Sequence, residues 1–137
     1  MTFEETRELL KTLARKRKRV DAIQERINTY QSDYGAIQSI MAGEIVGGGE
    51  FHSKVELLAE RVLVEQEKYV KALEDYFATE DRLAEAIGDL SPEENEVIVE
   101  FYMQGYSERK IARIMNYSES TVKRRRVQAI RKISKKI

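Results

Sequence analysis

The 137-residue chain is predicted to be all-α: a long N-terminal antiparallel helical hairpin, followed by a domain of three short helices. Three observations carry this expectation. Two long apolar rows step by three and four residues, and no proline interrupts them. A glycine cluster separates the rows. In the last 47 residues, three serines each stand just ahead of a short helical segment.

The first row runs Phe3, Thr6, Leu10, Leu13, Arg17, Val20, Ile23, Ile27, Tyr30, Tyr34, Ile37, Met41. This is coiled-coil seam spacing, with Thr6 and Arg17 as its polar members. The second row runs Val55, Leu58, Val62, Glu65, Tyr69, Ala72, Tyr76, Thr79, Leu83, Ala86, Leu90. Leu63, Val70, Leu73 and Phe77 widen this stripe, so the second helix has apolar surface for more than one neighbour. Between the rows, Gly43 and Gly47-Gly48-Gly49 place a turn near 42–53, since successive glycines weaken a helix interior. Ser53, with Glu56 three residues on, is the expected cap of the second helix. The glycine run lacks the Lys-Ser/Thr of a nucleotide-binding loop and follows no strand, so it reads as a turn, with His52 an incidental neighbour. The hairpin is assigned to residues 1–88. A two-helix hairpin buries little surface, so pairing is expected: a homodimer through the hairpin, or docking on a different protein.

Residues 89–137 form the second predicted domain. Ser91 is an N-cap, Pro92 the first helical residue and Glu94 the capping-box partner. Val97, Ile98, Phe101 and Tyr102 come next at helical spacing, up to Gln104-Gly105. Ser107 caps the second short helix, whose expected buried face is Ile111, Ala112, Ile114 and Met115. Asn116-Tyr117 makes the break, asparagine tolerating a left-handed backbone. Ser118 caps a third helix with Val122, Ala129, Ile130 and Ile133 facing inward. Two helices joined by a short turn, behind a preceding helix, make a trihelical helix-turn-helix domain.

Charge gives this domain a purpose. The chain is neutral, yet residues 74–104 carry a net −9 and residues 105–137 a net +9. A cationic segment of this density is a footprint for nucleic-acid phosphate. On a helix capped by Ser118, positions one, two and six reach base edges: Glu119, Ser120 and Arg124. Arginine offers guanine a bidentate fork, and glutamate accepts from the cytosine amino group. Ser107, Arg109, Lys110, Thr121, Lys123, Arg125 and Arg126 are placed for phosphates of double-stranded DNA. The run Arg15-Lys16-Arg17-Lys18-Arg19 fans around its helix, a solvated run or a secondary contact with DNA or the acidic second helix.

Composition excludes other classes. The absence of cysteine removes disulfides and thiolate metal sites, and a single histidine leaves no acid–base triad. No cofactor, no metal and no enzymatic activity are expected. No apolar run approaches a membrane span and no signal peptide opens the chain, so a soluble, cytoplasmic protein is expected.

The stretch Leu90-Ser91-Pro92-Glu93-Glu94, Val97 to Tyr102, Gly105-Tyr106-Ser107, Lys110-Ile111-Ala112, Tyr117 to Lys123 and Ala129 to Ile133 resembles region four, the promoter-reading domain of bacterial sigma factors. The whole chain is similar to phage and prophage regulators of the RinA and ArpU type. They share the order of coiled coil, glycine-rich interruption with Met41, Gly47-Gly48-Gly49 and Ser53-Lys54-Val55, and sigma-like helix-turn-helix. That resemblance implies transcriptional control of phage genes, often late ones, by a nucleoid-associated protein in a bacterial host, with RNA polymerase as a candidate partner. Arg124-Arg125-Arg126 departs from relatives that carry leucine or isoleucine there. One of these arginines must lay its stem over the core and send its charge to solvent or DNA. Nothing resembles the polymerase-binding and melting regions of a full sigma factor, so promoter opening is not expected. The competing reading is a DNA-packaging adaptor like a small terminase subunit. A third is a module whose hairpin binds polymerase or a host factor.

Overall fold

Helix α1 spans Phe3–Gly43 and α2 spans Gly49–Gly88 in a computed structural model that describes residues 1–43 and 49–137, with side chains described outside 41–52. The three-four rows are what these helices bury. On α1, Thr6, Leu10, Leu13, Val20, Ile23 and Ile27 are buried; on α2, Leu58, Glu65, Ala72, Thr79, Leu83 and Ala86 are. Arg17 stays exposed in its row. The glycine turn expected near 42–53 lies partly outside the described residues, as do the side chains of Met41 and His52. Ser53 is not the cap of α2, which begins four residues earlier at Gly49. Once a helix is nucleated each added residue gains a backbone hydrogen bond, and Glu50, Phe51 and His52 contain no breaker to stop it.

Two units organise the chain: Arg17–Asp75, and Met1–Lys16 together with Tyr76–Ile137. In the first, Arg26 Nε donates to Glu65 Oε2 at 3.1 Å and the Arg61 guanidinium stands 5.9 Å from the Tyr30 ring centre. Residue numbers rise on α1 as they fall on α2, so the helices run antiparallel. Lys68 also donates to Glu65, at 3.4 Å. Desolvation alone would raise the Glu65 carboxyl, but these two cations outweigh it and hold the pKa below the usual value. A charge therefore sits within an otherwise uncharged row.

In the second unit, the start of α1 and the end of α2 share a core with the first and last of three C-terminal helices. Leu10 and Leu13 join Leu83, Ala86 and Leu90, and against them pack Ile98, Tyr102, Ala129, Ile130 and Ile133. Ser134 Oγ donates to Thr6 Oγ1 at 2.8 Å, satisfying hydroxyls in this contact. The helices are α3 (Pro92–Ile98), α4 (Glu108–Met115) and α5 (Glu119–Lys136). Gly88 ends α2, and the Ser91–Glu94 capping box forms as expected: Ser91 N–H donates to Glu94 Oε1 and Glu94 N–H to Ser91 Oγ, both at 3.2 Å.

Glu94 is buried and also receives Lys132 Nζ from α5 at 2.6 Å. Burial alone would raise its carboxyl; the bonds from Lys132 and Ser91 outweigh it and hold it below the ordinary carboxylate range. The group's contribution to stability is therefore full above the unfolded carboxylate pKa of about 4.3, and is lost as pH falls through the lower native value. Thermal melts across pH should show Glu94→Gln less stable than the parent at neutrality. The gap should close below about pH 4; a gap independent of pH would mean that Glu94 acts by shape alone.

Beyond α3 the backbone departs from the plain helix that the spacing predicts. Val99–Met103 forms one π-helical turn, closed by Gln104 N–H to Val99 carbonyl at 3.0 Å. The wider turn leaves Tyr102 buried and Phe101 half-buried, their rings edge to face at 4.9 Å. Gly105 then reverses the chain with φ +74°, a conformation that costs other residues about 1–2 kcal/mol.

Candidate nucleic-acid interface

The helix-turn-helix is held by a small core of its own. Val97 from α3, Ile111 and Ala112 from α4 and Val122 from α5 are buried together, lined by Phe101, Tyr106, Met115 and Tyr117. Ile114 departs from the expected buried face: it is 49% exposed, because α4 makes only two turns and presents Ile111 and Ala112 inward. Asn116 adopts φ 59°, ψ 43°, the left-handed turn expected of it. Ser107 Oγ accepts from Lys110 N–H at 3.1 Å and Ser118 Oγ from Thr121 N–H at 3.2 Å, so both serines cap their helices.

This geometry leaves the leading turn of α5 on the surface. Glu119, Ser120, Lys123 and Arg124 are exposed, while Thr121 is half-buried with its hydroxyl 2.8 Å from that of Ser118. The rear half of the same helix is fixed: Ala129, Ile130 and Ile133 are fully buried, and Lys132 and Lys136 bind Glu94 and Asp89. The tip is thus free and its base is anchored, the arrangement that a probe entering a groove requires.

The α4 residues lie beside the tip. Arg109, Lys110 and Ser107 are exposed, and the Lys110 ammonium stands 3.8 Å from the Tyr106 ring centre, a cation–π contact. A cleft of about 410 Å³ is lined by Arg109, Ala112, Arg113, Asn116, Tyr117 and Glu119. Arg113 is a member of this surface that the sequence pattern did not single out. It is exposed one helical turn beyond Arg109, and that four-residue spacing is the signal that could have found it.

Arg126, expected to contact phosphate, does not lie exposed with the others: its guanidinium is engaged within the domain. Its side chain is only 12% exposed and turned inward. The guanidinium stacks 4.5 Å from the Phe101 ring centre, donates to Glu108 Oε1 at 2.9 Å and lies 3.4 Å from the Tyr102 hydroxyl. Burial alone would lower its pKa; the bonds to Glu108 and Tyr102 outweigh this and raise it. Its stem covers the core, as one member of the triplet had to, but its charge goes to α4 and the π-helical turn. Arg125 is half-buried beside it.

Pro92, Asn95, Glu96, Val99, Glu100, Gln104 and Tyr106 line a second cleft, of about 540 Å³. The Glu100 carboxyl is pushed up, by burial first and then by the neighbouring Glu96.

Among the described residues no helix is long and apolar enough to cross a membrane. No curated protein and no solved structure matches the chain. Residues 80–133 match the family model described as Sigma-70, region 4, a span that takes in the last turns of α2, all of α3 and α4, and most of α5. The C-terminal part of the chain is therefore a sigma-region-4-like helix-turn-helix, a DNA-binding type of domain.

Proposed function

We propose that the chain is a sequence-specific, non-enzymatic transcription regulator that inserts the leading turn of α5 into the major groove of double-stranded DNA, and that its targets are phage genes of the late class. One observation carries the reading: Lys123, Arg124, Arg125 and Arg109 form no ion pair with another described side chain. Cations left unpaired beside an exposed helix tip are available to phosphate and base edges. Glu119, Ser120 and Arg124 serve as base readers. Ser107, Arg109, Lys110, Thr121, Lys123 and Arg125, joined by Arg113, serve as backbone contacts. The phage assignment is supported by the order of segments along the whole sequence. RNA polymerase is the second partner, to be tested by pull-down with purified core enzyme.

Footprinting on phage-region DNA tests the proposal. A protected site should appear, and its affinity should fall linearly on a log–log plot against salt, with a slope of about −0.9 per phosphate neutralised. Binding that is absent at low salt, or indifferent to salt, would remove the reading.

A further inference from the structure

The hairpin has a second seam that its own fold leaves open. On α2, Leu63 and Val70 stand seven residues apart and are 62% and 53% exposed. Ala59, Gln66 and Leu73 join them at three- and four-residue steps, so the five residues make one stripe along the helix. One position further round, Glu60, Glu67 and Glu74 repeat at seven-residue spacing. All three are exposed, and none forms an ion pair with a described side chain. An apolar seam edged by one row of unpaired like charges is a pairing surface with a charge preference written into it.

We infer that this seam docks an amphipathic helix of a different protein, one with an apolar stripe flanked by lysine or arginine. The glutamate row argues against a second copy of the chain. In an antiparallel self-pair the two rows lie opposite one another and repel. In a parallel self-pair they lie opposite Val62 and Tyr69, which carry no counter-charge. Nor does α1 of a second copy offer a seam. Within Arg17–Asp75 its apolar row is spent on α2, and Arg17, Lys18 and Arg19 are successive residues that fan around the helix. A basic amphipathic helix meets both demands: its apolar positions cover Leu63 and Val70, and its cations meet Glu60, Glu67 and Glu74. The inference is independent of the DNA-binding reading, since every residue it uses lies outside the helix-turn-helix.

The test uses the full chain and synthetic three-heptad peptides with leucine and isoleucine along the seam. Fluorescence anisotropy should show saturable binding of the lysine-flanked peptide and none of its glutamate-flanked counterpart. Leu63→Ser with Val70→Ser should weaken binding at least tenfold without changing the circular dichroism of the chain. Glu60→Lys, Glu67→Lys and Glu74→Lys together should reverse the choice of peptide. Equal binding of a scrambled peptide of the same positive charge would overturn the inference, because attraction alone would then explain it. No binding of the lysine-flanked peptide overturns it as well. So does a dimer in sedimentation velocity that the Leu63→Ser, Val70→Ser chain no longer forms, since a second copy would then be the occupant.

Discussion

Reversing two charges at the tip of α5, Lys123→Glu with Arg124→Glu, is expected to abolish detectable DNA binding while leaving the fold intact. Both side chains are exposed and neither forms a described ion pair, so their loss removes nothing that holds the domain together. At the interface, two favourable contacts become two repulsions against a polyanion. Single substitutions divide the two roles. Arg124→Ala should cost about 1–3 kcal/mol on the specific site, roughly five- to 150-fold, and much less on random DNA, because a base contact discriminates. Lys123→Ala should weaken both nearly alike and reduce the salt slope by about one, the mark of a lost phosphate contact. Gel-shift titrations at several salt concentrations measure all of these. If Arg124→Ala weakened both DNAs equally, Arg124 would belong with the backbone contacts.

Most of the fold was legible because local signals agreed with the tertiary ones. The rows from Phe3 and from Val55 predict the buried faces of α1 and α2 nearly residue by residue: of their polar members Thr6, Glu65 and Thr79 are buried, and Arg17 is exposed. Ser91, Ser107 and Ser118 each cap the helix assigned to them, since a cap is specified by a few adjacent residues. Features set by longer-range packing were less visible. The π-helical turn at Val99–Met103 has no local signature, because it adjusts the helix phase to a core assembled from α3, α4 and α5. Ser53 misled because a capping pattern can also occur inside a helix. In the candidate interface, the exposed members Glu119, Ser120, Lys123 and Arg124 are legible from the cap and the helical period. The inward turn of Arg126 is a matter of phase: Val122, Arg126, Ala129 and Ile133 step by four, three and four, so Arg126 holds an inner-row position that three consecutive arginines conceal.

That placement makes Arg126 the residue whose loss should cost the fold most among the cations of α5. Exposed ion pairs contribute roughly 0–1 kcal/mol, and breaking a fully buried one costs roughly 3–5 kcal/mol. The side chains of Arg126 and Glu108 are 12% and 26% exposed, between those limits. The stack on Phe101 adds roughly 1 kcal/mol. Arg126→Ala is therefore expected to destabilise the chain by about 2–4 kcal/mol in denaturant unfolding, since it also leaves the half-buried Glu108 without its cation. Arg126→Lys should recover little, because an ammonium does not stack flat on Phe101 while also reaching Glu108 and Tyr102. Arg126→Met keeps a flexible stem over the core and should fall between the two. Below the unfolding transition, the salt slope for DNA should not change in any of these variants. A slope lowered by about one would mean instead that the guanidinium leaves Glu108 for a phosphate when DNA binds, with the pair acting as a latch rather than a clamp.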